Sequence, residues 1–144
     1  MNHSTWRSAV YGGIGGIAGG TLFGIMMQMQ GMLVMLAGTM GSESALVGWL
    51  IHMMISIIFG VSFGLLAIVT PNLFTLTIAF SIAIWVIGPL LIMPLMMGMG
   101  TNLAAAFTPE QLMSLATHLF YTVITAGVYY TLEKKDSVKT ESIA

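Results

Sequence analysis

His52 and His118 are the residues of this chain best suited to chemistry. An imidazole can offer a lone pair to a metal, or take up and release a proton near neutral pH. Each lies ten residues after a hydroxyl residue able to cap a helix, Ser42 and Thr108, and each sits inside a long uncharged apolar run. If both runs are membrane helices that start from the same side, the two rings reach one depth, where a polar group in hydrocarbon needs a partner. Three chemistries fit such a pair. The histidines could ligate the iron of haem b from its two faces. They could bind Cu(I) together with thioether sulfur. They could form a path for protons or cations. The plain alternative is structural: each imidazole bonds Gln28, Ser56, Thr122 or a backbone carbonyl and fixes helix register.

The elements that would position them follow from composition. The chain is 57% hydrophobic and 6% charged, against about 25% charged residues in a soluble domain. No charge occurs over 8–42, 44–109 or 111–132. About 20 apolar residues cross the bilayer as a helix, so the outer runs hold one span each and the middle run holds two. The reading is an all-α polytopic membrane protein, a single domain over 1–144, built as a four-helix up-down bundle. The helices are expected at about 9–37, 44–69, 73–97 and 109–133, with a polar disordered tail over 134–144. The first run is too long for a signal-peptide core and reads as a retained helix. Gly38-Thr39-Met40-Gly41 and Thr70-Pro71-Asn72 are turns, and Pro89 and Pro94 should kink the third helix. Thr108-Pro109-Glu110-Gln111 spells a helix start with a capping box.

Arg7, Lys134, Lys135 and Lys139 all lie at the two ends, whereas the loops after the first and third helices carry Glu43 and Glu110. The positive-inside rule then makes both termini cytoplasmic. Counting ten residues inward from the outer helix ends brings Gln28 and Thr117 to the histidine layer as a polar support. The same count brings in a carbonyl near Trp85 left without a donor by Pro89. Met53, Met54 and Met93 are the nearby soft-ligand candidates. Superposing His52 on His118 pairs Ser42 with Thr108, Leu46 with Leu112, Ser56 with Thr122 and Ile58 with Ile124, a weak trace of a duplicated hairpin.

Glycine and methionine segregate. Gly12, Gly16, Gly20 and Gly24 recur every fourth residue in the first helix, and Gly60 and Gly64 follow in the second. Small residues at that spacing let helices approach closely, so the inner half should be tight. Apart from Met1, every methionine lies at histidine depth or further out, which suggests a softer outer half. Other chemistry is poorly served. The chain has no cysteine, no basic patch for nucleic acid and no phosphate loop. Glu43 and Glu110 read as helix-start acids.

Gly48-Trp49-Leu50-Ile51-His52 followed by Ser56, Phe59 and Gly60 resembles a signature of YagU-like inner-membrane proteins. So do Pro94-Leu95-Met96 and Thr117-His118-Leu119-Phe120-Tyr121. The resemblance covers the second to fourth helices. It implies a small four-helix bacterial inner-membrane protein and marks both histidines, but it transfers no activity. Thr117 stands where the family often has glycine, and the methionine load is heavier than the resemblance leads one to expect. The expectation is a non-enzymatic protein of the lipid bilayer that handles haem, copper or protons at His52 and His118. The alternative is an accessory subunit that packs against a larger membrane complex through its glycine strip; a homo-oligomer is a further expected partner.

Overall fold

The computed structural model describes residues 3–142, with backbone alone for residues 3, 140 and 141. Its main helices are α1 (His3–Met29), α2 (Met32–Gly38), α3 (Ala45–Val69), α4 (Leu73–Trp85), α5 (Met93–Met96) and α6 (Pro109–Glu141). A π-helical segment, Val86–Ile92, joins α4 to α5. No strand occurs among the described residues. Four stretches are long and apolar enough to cross a membrane: Ser4–Met29, Ala45–Val69, Leu73–Met96 and Pro109–Lys139.

Several boundaries differ from the sequence reading, each for a local reason. The first helix does not run unbroken to residue 37. Gly31 takes a left-handed backbone, with φ of 71°, a conformation closed to most side chains, and α2 turns off to pack on α3. The third span does not lose a carbonyl at Pro89. In the π segment each donor moves one residue on, as shown by the Met93 N–H on the Gly88 carbonyl. The carbonyl of Trp85 thereby faces Leu90 instead of the missing N–H of Pro89. Pro94 leaves the carbonyl of Leu90 without its helical donor, and the N–H of Asn102 bonds that carbonyl at 2.8 Å. Gly98, at φ 72°, then closes α5 in a Schellman turn, with Met99 N–H on Pro94 O and Gly98 N–H on Leu95 O. The capping box is half made. Thr108 Oγ1 accepts from Gln111 N–H, but the Thr108 N–H is already held by Ala105 O, and Gln111 Oε1 is buried without a partner. The tail is a further correction: α6 continues through it to Glu141. Asp136 there pairs with Arg7 and accepts from Tyr11 OH at 2.7 Å, so charged partners on α1 hold these turns in place.

α1 is the centre of the bundle. It runs antiparallel to α3, and Gly12 and Gly16 meet Gly60 and Gly64 backbone to backbone. A Cβ on Gly12, Gly16, Gly60 or Gly64 would collide with a carbonyl or an α-carbon across the interface. Gly15 and Gly19, on another face of α1, meet Thr125 and Tyr121 of α6 in the same way. α3 and α6 therefore run parallel to each other, packed on neighbouring faces of α1. α4 packs mainly on α6, and aromatic side chains fill the space where α3, α4 and α6 converge. Phe63 meets Phe80 edge to face at 5.5 Å and Tyr129 at 6.1 Å, with Leu76, Ile84, Tyr121 and Ala126 around them. The tight half expected from glycine is thus a backbone seam beside an aromatic core. The glycine strip is used between α1 and α3.

Candidate functional site

The helices that carry the two histidines meet around one side chain that sequence reasoning did not select. Phe23 of α1 stands edge-on to both rings, with centroids 5.5 Å from His52 and 5.3 Å from His118. The imidazole centres are therefore no further apart than the sum of those two distances. Both histidines thus lie against the same phenyl ring.

Each imidazole has one nitrogen committed to a backbone carbonyl. His52 Nε2 lies 2.8 Å from the carbonyl oxygen of Gly20 across the α1–α3 seam. His118 Nδ1 lies 2.7 Å from the carbonyl oxygen of Ser114 one turn back. A carbonyl oxygen only accepts, so each of these nitrogens carries the hydrogen. The lone pairs then sit on His52 Nδ1 and His118 Nε2. Ser56 Oγ is 3.5 Å from His52 Nε2, at the limit of a hydrogen bond. Of the structural partners expected for the rings, the backbone carbonyl is the one realised in both cases.

Glycine makes the room. A Cβ on Gly24 would strike the Trp49 indole and touch the His52 ring, and one on Gly20 would strike the Ser56 side chain. Trp49 is 6.2 Å from His52, ring to ring. One turn further along, Tyr121 OH donates to the Ser56 carbonyl at 2.5 Å, and Thr125 Oγ1 lies 3.3 Å from the Gly15 carbonyl. The layer is thus braced by bonds from side chains to glycine-exposed backbone. Such carbonyls have no side-chain signal in a sequence. Phe23 had one faint signal, its place between Gly20 and Gly24 on the same helix.

The other expected members of the layer have their own partners or positions. Gln28 is exposed and accepts from the Trp49 indole N–H at 3.1 Å, above the histidines. The miscount has a physical cause: α1 ends at the Gly31 break, and ten residues inward from Gln30 is Gly20. Thr117 bonds the Ser114 carbonyl of its own helix. Met53 is close, its sulfur 3.6 Å from where a Gly20 Cβ would be. Met54 is 53% exposed and faces away from the bundle, and Met93 is half-buried where the π segment passes into α5. Met29, Met40, Met96, Met99 and Met113 are each more than half exposed, so methionine coats the outside of the outer half more than it lines an interior. Trp85 Nε1 is a buried N–H without a partner.

No group of three or more histidine, aspartate or glutamate side chains gathers among the described residues. A tetrahedral zinc centre of the usual kind needs four protein ligands, or three and a water, and is not built here. Two imidazoles with a nearby thioether make a softer and smaller donor set. Compared with protein-family models, with curated proteins and with solved structures, the chain matches none.

Proposed function

We propose that this integral membrane protein holds a Cu(I) ion within the bilayer, at the lone-pair nitrogens of His52 and His118. The observation that carries the reading is that both rings lie against Phe23, each with one N–H fixed on a backbone carbonyl. Metal-binding histidines are commonly oriented in this way, since the bond to the carbonyl sets the tautomer and raises the basicity of the other nitrogen. Cu(I) accepts two or three soft or borderline ligands, and the Met53 sulfur lies near Gly20, the residue whose carbonyl holds His52. A proton path is less well served, because a carbonyl oxygen does not take up the proton it is offered. Haem is less well served because a porphyrin needs far more room beside the rings than a single ion, and Phe23 packs against both of them. The glycine strip gives no support to an accessory role.

The four basic residues at the chain ends support cytoplasmic termini, and the YagU-like motifs support a bacterial inner membrane. The test is metal analysis of the full-length protein purified in detergent and loaded with Cu(I). The wild type should retain bound copper with nitrogen neighbours in X-ray absorption, and a His52→Gln, His118→Gln double variant should lose that signal. Unchanged copper in the variant would sink the proposal. A Soret band in the purified protein would put haem in place of copper.

A further inference from the structure

A second group of soft donors lies apart from the histidines, at the end of the bundle where α2 and α5 finish. Met35 of α2, Met96 of α5 and Met97 just beyond it line a cavity of about 400 Å³, with Gly38 and Thr39 completing the wall. The three methionines are roughly half-exposed. They come from segments about sixty residues apart in the chain, brought together by two similar turns. Gly41 closes the helix after Met35, with Ser42 N–H on Ala37 O and Gly41 N–H on Gly38 O. Gly98 closes the helix after Met96 with the same pair of bonds. No ionisable side chain lines the cavity.

We infer that this cavity is a capture site for Cu(I), with Met35, Met96 and Met97 as a three-thioether donor set. Thioether sulfur selects Cu(I) over hard cations, and the absence of carboxylate, imidazole or thiol from the wall removes the ligands that would favour zinc or magnesium. Methionine turns about three side-chain bonds, so these half-exposed side chains have the freedom to turn their sulfurs into the cavity. The position suits capture. The third span ends at Met96, which puts the cavity at the membrane boundary. Leu33, two residues before Met35, packs its carbonyl against Gly48, one turn above His52. The binding stands on the cavity alone. Delivery from it to the histidines rests on the function proposed above.

Ag(I), a redox-stable stand-in for Cu(I), tests the site in full-length protein carrying ¹³C-methyl methionine in detergent micelles. The methyl signals of Met35, Met96 and Met97, assigned by single leucine variants, should shift together and saturate at one Ag(I) for that set. A Met35→Leu, Met96→Leu, Met97→Leu protein should lose one bound Ag(I) per chain. The His52→Gln, His118→Gln protein should keep all three shifts, so failure at the histidines leaves this result intact. The inference is overturned if the wild-type shifts fall on other methionines, or if the triple variant binds as much Ag(I) as the wild type. The wild-type spectrum decides by itself, so a poorly folding variant cannot hide the outcome.

Discussion

At the scale of single residues, the most constrained positions are those with no side chain. Gly60→Ala puts a methyl group against the Gly12 carbonyl and the Gly16 backbone. Neither can move without parting α1 from α3, and overpacking of this kind costs about 1–3 kcal/mol. Gly127→Ala meets nothing within 4 Å and should be neutral, or slightly stabilising through the better helix propensity of alanine. Unfolding both variants in mixed detergent–lipid micelles checks the contrast, and equal stability of the two would remove the seam from the account. The seam was legible because glycine at four-residue spacing is rare unless backbones touch. The matched spacing of His52 and His118 from Ser42 and Thr108 was legible, but the residue that caps the helix of His52 is Ser44, not Ser42, and its side chain makes no cap bond. Phe23 was not, since one phenylalanine among many apolar residues says nothing about which rings it meets. The Gly20 and Ser114 carbonyls were not, since every residue has one.

Among elements, the departures from expectation occur where the chain leaves the α-helix. The apolar run over 9–37 gives no warning of a break, because Gly31 is one glycine among many and only its backbone angle sets it apart. Placing alanine there forces a left-handed conformation that costs about 1–2 kcal/mol. Gly31→Ala should therefore unfold at lower temperature by circular dichroism, whereas Gly88→Ala, which has space and no such angle, should not. Wild-type stability of Gly31→Ala would mean that α1 and α2 are one helix. The prolines were read as a kink, and Pro89 wrongly as leaving an empty acceptor. A π turn and a returning loop supply donors, as hydrocarbon requires, but neither is written in the residues next to Pro89. The C-terminal extension of α6 was missed because its polar residues suit a solvated tail as well as a helix. What decides is the ion pair between Asp136 and Arg7, more than a hundred residues away.

For the molecule as a whole, the span count was the most legible property, because charge is confined to the ends and two loops. Which side those ends face is open to a direct test. The chain contains no cysteine, so single-cysteine variants report without background. Ser44→Cys, before α3, should react with a membrane-impermeant maleimide added to intact cells, and Ser137→Cys, near the end of α6, should react only after lysis. The reverse pattern would invert the protein, and reaction of both in intact cells would break the four-span reading. The arrangement also bears on assembly. α1 touches α3 along one face and α6 along another, while α3 and α6 run side by side with few contacts of their own. The helix made first is therefore the one enclosed last. α1 can pair with α3 as soon as that hairpin is inserted, but its second face, with the open carbonyl of Gly15 and Phe23 lacking one imidazole, waits for the last helix to be synthesised. A chain that stops before α6 carries three spans, with one of the two histidines of the layer and an uncovered glycine face on α1.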